Sequence, residues 1–287
     1  MPADDGDLLR IHGTDHVDAL RALDAAGGGR LDPDTRMGPG SWAAARLAAG
    51  AGLVAIDGLR DGDAEVAFCA IRPPGHHATP TRTMGFCLLN NVAVAAAALA
   101  DAGERVAIVD IDAHHGNGTQ DAFVADGRVL FVSCHQWPLY PGTGAADEIG
   151  IGDGMGTTIN VPLPAGAAGD TYRHAMDVVV VPAVERFEPD WVLVSAGFDA
   201  HRADPLTDLG LSAGDYADLM GRLVGLVTTG RLVAFLEGGY DLGALADSAG
   251  ALVAAALGVR HRPEATTGDG PGRDVVDAQA ARHGLAS

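Results

Sequence analysis

The sequence predicts an α/β fold, with a central, mostly parallel sheet covered by helices on both faces. Two observations carry that reading. Apolar runs of strand length recur at "VAIVDID" (106–112), "VLFVSC" (129–134), "WVLVSAGFD" (191–199) and "LVAFLEGGYD" (232–241), each rich in β-branched or aromatic residues. Between and around them lie stretches with helical composition at 90–102, 170–187, 213–229 and 243–257. Strands alternating with helices imply crossover units, and near-continuous apolar strands are those buried on both faces.

In chain order, segments 14–26 and 40–56 read as two further helices. "RPPGHHA" (72–78) carries two prolines and a glycine, poor material for a helix or a central strand, so His76 and His77 are expected side by side on a loop. No repeat and no long linker interrupts the pattern. The stretch 260–274 is polar and contains Gly and Pro, which predicts one domain over 1–258 and a loosely attached polar tail over 259–287, with room for a short terminal helix.

Composition narrows the setting. Of 287 residues, 47% are hydrophobic but only 5% aromatic, so the core is built mostly from Ala, Val and Leu. All 19 basic residues are arginines, against 38 acids, for a formal charge of -19. Such a surface disfavours nucleic acid and anionic membranes and attracts cations, or serves solubility alone. The three cysteines, Cys69, Cys87 and Cys134, show no CxxC spacing, which suits a reducing cytoplasm. "MPADDGDLLR" lacks the features of a signal peptide, and the longest apolar run, 92–100, is too short to span a bilayer.

The strand ends carry chemistry. In open α/β sheets, ligands bind outside the carboxyl ends of the strands. "VDIDAHHGNG" (109–118) places Asp112 and His114 two apart, and in extended chain such residues face the same way. Asp199, at the end of another run, adds a second carboxylate. Two carboxylates and an imidazole make a three-ligand site with a position left for water, as catalytic zinc requires. Read singly, each Asp equally suits a helix cap. Tyr240, after two glycines in "LEGGYDL", is either a packed ring or a phenol that bonds a developing oxyanion. The adjacent histidines are surface groups, metal ligands or an acid/base pair.

Together these motifs resemble the arginase-fold deacetylases: histone deacetylases, their bacterial relatives and acetylpolyamine amidohydrolases. The matching stretches are RPPGHHA, GFCLLNN (85–91), VDIDAHHGNGTQDAF (109–123), PGTG (141–144), SAGFDAHRADPL (195–206) and EGGYD (237–241), in the family's order. RPPGHHA and Asn117 look like the class II-type branch.

The resemblance implies a three-layer arginase/deacetylase-like fold and a role for each matching position. Asp112, His114 and Asp199 would bind Zn2+. His77 would be the general base and then the acid, with Asn117 beside it. His76, held by Asp110, would be its charged partner, and Tyr240 would polarise the scissile carbonyl. Phe86 and Tyr140 match the walls of a substrate tunnel, and Gly85 its backbone acceptor. K+ would bind through Asp110, Asp112, His114 and Ser133, with a second site near Phe123.

Leu206 stands where a glutamate would suit a polyamine, so acyl-lysine is the expected substrate, with a small acetylated amine as the alternative. An arginase-like manganese ureohydrolase and a non-catalytic acyl-binding relative are the competing readings. Family members also carry a strand and an H-P-E-R-P-like loop ahead of the first helices, roughly 50 residues by typical element lengths. This chain starts near "LLRIHGTDHV" without them, so an open sheet edge and an open wall at the pocket mouth are expected.

Overall fold

A computed structural model describes residues 1–285. Its elements in chain order are α1 (Asp5–Leu8), α2 (Thr14–Ala25), β1 (Gly29–Arg30), β2 (Arg36–Met37), α3 (Ser41–Arg60), β3 (Ala67–Cys69), α4 (Asn91–Asp101), β4 (Val106–Asp110), α5 (Asn117–Phe123) and β5 (Val129–Gln136). There follow β6 (Thr158–Leu163), α6 (Gly169–Ala175), α7 (Val181–Phe187), β7 (Trp191–Ala196), α8 (Ala213–Leu223), β8 (Leu232–Leu236), α9 (Leu242–Ala256) and α10 (Arg273–Arg282). Within the described residues, strands β3 to β8 form one parallel sheet in the order β3-β8-β7-β4-β5-β6. Val106 pairs with both Val129 and Trp191, which sets the central register.

Pleating sorts the core into two layers. Val106, Ile108, Phe131, Leu193 and Phe235 face α3 and α4. Ala107, Val109, Val132, Val194 and Ala234 face the opposite layer, built from α6 to α10. A third cluster joins α1, α2 and α3 through Leu8, Leu20 and Trp42. Helix starts follow local chemistry. Asn90 caps α4 by accepting the Ala93 N–H, Asp241 caps α9 by accepting that of Ala244, and Ser212 with Asp215 forms a capping box on α8.

Several expectations need correction. The sheet has two strands that the apolar runs did not reveal: β3 is only three residues long, and β6 contains Pro162, which its place at the sheet edge tolerates. The four expected strands stop at Asp110, Gln136, Ala196 and Leu236, so three are shorter than their runs and one is longer. Segment 170–187 is α6 and α7 joined by a π-helical turn, Met176–Val180. Segment 213–229 leaves the α-helix after Leu223, and 40–56 continues as helix to Arg60.

The tail is docked rather than loose. Val276 and Ala280 of α10 are 0% and 3% exposed within the main core, and the Thr267 hydroxyl bonds the buried Asp215 at 2.8 Å. Polar composition hid this, because only a few apolar residues of α10 need burial for it to dock.

α3 is long and apolar enough to cross a membrane, yet it lies against the sheet. Gly52 permits that closeness, since a Cβ there would sit 2.6 Å from the ring of buried Phe235. Gly52→Ala should therefore cost about 1–3 kcal/mol of stability by overpacking. Urea unfolding measures it, and an unchanged midpoint would contradict the close approach.

Candidate active site

The site forms where β3, β4, β7 and β8 end, at the carboxyl edge of the sheet. After β4 the chain turns irregular at once. Asp112 and His114 converge because the Asp112 carboxylate accepts the His114 N–H at 2.9 Å, which folds the segment into a turn. The expectation that they share a strand face is thus replaced by a side-chain-to-backbone turn. His114 Nδ1 lies 3.2 Å from Asp112 Oδ1 and 3.0 Å from Asp199 Oδ2. The donor atoms of Asp112, His114 and Asp199 all fall within 4.8 Å of one another.

This donor set fits a divalent cation. Both carboxylates are buried and face each other, so they need a positive charge between them. Burial and the Asp112 charge push the Asp199 carboxyl up to about 6. Asp112 is also penalised by burial, but the charges of His76 and His114 hold it well below the usual carboxylate range. Burial opposes a charge on His114, yet Asp199 and Asp112 together raise it to about 10. A proton on His114 thus supplies compensation that a metal ion would supply on displacing it. The backbone closes around the set. A Cβ at Gly197 would lie 2.0 Å from Asp112 Oδ2, and one at Gly238 2.2 Å from Asp199 Oδ2. Gly238 N–H donates to Asp112 at 2.8 Å and Ala113 N–H to Asp199 at 2.9 Å.

The two loop histidines sit above this group with ring centroids 4.0 Å apart. His76 Nδ1 bonds Asp110 Oδ2 at 3.0 Å, and His77 Nδ1 lies 2.8 Å from Asn117 Oδ1. Burial disfavours a charge on His76, but Asp112, Asp110 and Glu237 outweigh it and hold the imidazole well above its ordinary range. Burial, then the neighbouring His76 charge, drives His77 well below that range. The loop is fixed at two points. Gly75 and His76 N–H donate to Glu237 at 2.6 and 3.1 Å, while His76 O accepts from Gly118 and Thr119 at 3.0 and 3.2 Å.

A cavity of about 260 Å³ opens from these groups to the surface. Phe86, Tyr140 and Leu206 line it and are 38%, 38% and 45% exposed, which places them towards its mouth. The Tyr140 ring meets His77 edge-on at 5.2 Å, and the Phe86 ring lies 5.9 Å from Tyr240. Phe86 holds a left-handed φ of 65° with its N–H donated to Thr35 Oγ1 at 2.9 Å. Gly85 must lack a side chain, since a Cβ would sit 2.3 Å from the His77 ring. Tyr240 lines the cavity with its phenol kept protonated, raised by burial and then by Asp112 and Asp199.

Ser133 pairs in register with Asp110, and its hydroxyl contacts His135 Nδ1 at 2.9 Å. Phe123 closes α5, in the cluster facing α3 and α4.

Sequence reasoning missed Asp34, Pro74 and Leu139, which also line the cavity, and gave Glu237 no role. Glu237 had a signal, as a carboxylate inside an apolar run. Asp34 had none, lying in the irregular stretch between β1 and β2.

A parallel α/β sheet with a buried carboxylate–imidazole group at its strand ends defines a class of protein with a site able to hold a metal ion. The comparisons then give the family. The "Histone deacetylase domain" family matches residues 1–256. The chain is 45% identical over 257 residues to a "Probable deacetylase" of Archaeoglobus fulgidus, covering 88% of this chain and 71% of that protein. It is 43% identical over 246 residues to a "Histone deacetylase-like amidohydrolase" of Pseudomonas aeruginosa, covering 84% and 65%. The crystal structure of the HDA15 HD domain superposes with a TM-score of 0.91 at 38% identity, covering 99% of this chain and 79% of that one. The chain belongs to the histone deacetylase family, and spans about two thirds of the length of those two curated relatives.

Gly238→Ala should weaken divalent-ion uptake by at least about tenfold, because its Cβ would push the Asp199 and Asp112 carboxylates out of place. Metal analysis after dialysis against zinc measures this, and wild-type uptake would contradict the close backbone approach.

Proposed function

We propose that this protein is a zinc-dependent deacetylase that hydrolyses the amide of an acyl-lysine or a small acetylated amine. The observation that carries the reading is the pairing of His76 with Asp110 and of His77 with neutral Asn117, directly above Asp112, His114 and Asp199. Asp112, His114 and Asp199 would hold the ion. Bound there, zinc supplies a Lewis acid that lowers the pKa of water towards ~7.

The chain's own residues do the rest. His77, neutral in its buried place, takes the proton from the attacking water and returns it to the leaving amine nitrogen. His76 stays protonated on Asp110 and contributes charge rather than proton transfer. The Tyr240 phenol donates to the oxygen that becomes anionic. Phe86 and Tyr140 enclose the methylene chain of the substrate, and the Gly85 carbonyl accepts from its amide N–H. K+ held by Asp110, Asp112, His114 and Ser133 belongs to the same reading, as does a second K+ near Phe123.

Leu206 at the mouth offers no counter-charge to a second ammonium group, which favours acyl-lysine over acetylpolyamine. Cys69, Cys87 and Cys134 are free and buried, which supports a reducing compartment such as the cytoplasm.

The test is turnover with zinc supplied, on acetyl-lysine peptide, longer acyl-lysines, acetylpolyamines and acetylated small metabolites. Acyl-lysine should give the highest kcat/KM. Asp199→Ala should lose zinc and turnover together, and a variant that keeps full zinc occupancy would refute the ligand set. His77→Ala should lose more rate than His76→Ala with zinc retained in both, so equal or reversed losses would undo the division of labour. Tyr240→Phe should lower kcat by on the order of 10²–10³ without changing zinc content.

A further inference from the structure

The family match ends at residue 256, yet the chain beyond it reaches the support of the cavity. Glu264 carries that contact. Its Oε2 lies 2.7 Å from His201 Nε2 and accepts the Ala213 N–H, at the start of α8, at 2.9 Å. Its Oε1 accepts from Arg202 at 2.6 Å. His201 is 4% exposed, and its Nδ1 accepts the Ala203 N–H at 3.1 Å. The ring proton is therefore on Nε2 and is donated to Glu264.

His201 O in turn accepts the Asp204 N–H at 2.8 Å, closing a tight turn over 201–204. Asp204 presents one carboxylate oxygen to each of two backbone groups. Oδ2 accepts the Tyr240 N–H at 2.7 Å, and Oδ1 accepts the Leu206 N–H at 3.0 Å. Both of those residues line the cavity. A continuous set of bonds thus runs from Glu264, through one turn, to the backbone of the phenol donor and of the mouth leucine.

We propose that Glu264 is a positioning residue, which sets the placement of Tyr240 and Leu206 through His201 and Asp204. The proposal rests on the reading of Tyr240 as the oxyanion donor. Its physical basis is the buried His201 N–H. Without Glu264 that donor loses the carboxylate that fixes the ring, and any turn of the ring towards another acceptor gives up the Ala203 contact and loosens the turn holding Asp204. A shift of about 1 Å at a catalytic group costs up to about 10²-fold in rate. Glu264 is separable from the docking of its own segment. The Ala265 carbonyl accepts from Ser212 at 2.7 Å and Thr267 bonds Asp215 at 2.8 Å, independently of the Glu264 side chain.

The test is a double-mutant cycle on the zinc-loaded full chain, reading kcat and KM with acetyl-lysine peptide alongside zinc content. Glu264→Ala should lower kcat by about tenfold to a hundredfold with zinc content unchanged. In a Tyr240→Phe background the same change should cost no more than about twofold, because the group it places is already gone. Glu264→Gln keeps an oxygen acceptor for His201 and should stay within about threefold of wild type. Wild-type kcat in Glu264→Ala, a full multiplicative loss on top of Tyr240→Phe, or a Gln variant as poor as the Ala variant would each overturn the proposal and leave the Tyr240 role standing. Full turnover by Tyr240→Phe alone would overturn that role and this inference with it. If Glu264→Ala does not fold, Asp204→Asn, which serves only one of its two N–H partners, runs the same cycle with the same outcomes.

Discussion

Like-charged carboxylates buried together at the ends of parallel strands are the constraint on which the structure depends. Asp110, Asp112, Asp199 and Glu237 are all buried at one end of the sheet. An ion taken out of water costs several kcal/mol even after relaxation, so each such group must find donors or a counter-charge. The chain answers with backbone. Asp112 N–H donates to Asp110, Ala113 N–H to Asp199, Gly238 N–H to Asp112, and Gly75 and His76 N–H to Glu237. These bonds fix the loops after β3, β4, β7 and β8 relative to one another, and glycines stand where the approach leaves no room for Cβ.

The same charges separate the two histidines. They lie side by side, share one loop and are both buried, yet the His76 imidazole is pushed above its ordinary range and the His77 imidazole below it. Asp112, Asp110 and Glu237 raise His76, while burial and the neighbouring His76 charge lower His77. The Nδ1 partners differ as well, a carboxylate from β4 for His76 and an amide from α5 for His77. In the proposed reaction this separation would make one ring the base and the other its charged partner. The arrangement depends on α5 starting shortly after the turn that carries Asp112 and His114, because Asn117 is its first residue.

Much of this was legible in the sequence, for a physical reason. A parallel sheet confines its chemistry to strand ends, so Asp112, Asp199 and Tyr240 stood out as polar residues closing apolar runs. The pairing partners Asp110 and Asn117 came from the family resemblance and not from spacing, since β4 and α5 meet the histidine loop only in three dimensions. The convergence of Asp112 and His114 was read with the wrong geometry, a strand face in place of a turn. β3 and β6 escaped because three residues, or a strand containing Pro162, give no clear period. The docked tail escaped because Glu264 and Thr267 act through hydrogen bonds that leave no hydrophobic pattern. Asp34 and Leu139 reach the cavity from irregular chain, where periodicity has nothing to report.

The central claim is that the buried carboxylates of Asp112 and Asp199, with His114, are arranged around a divalent cation. Anomalous X-ray diffraction at the zinc edge, on crystals grown with zinc, tests it most directly. The account predicts one strong peak within coordination distance of Asp112, His114 and Asp199, with His114 Nδ1 turned from hydrogen bonding to ligation. No peak there, with the His114 contacts to both carboxylates kept at hydrogen-bond length, would contradict it.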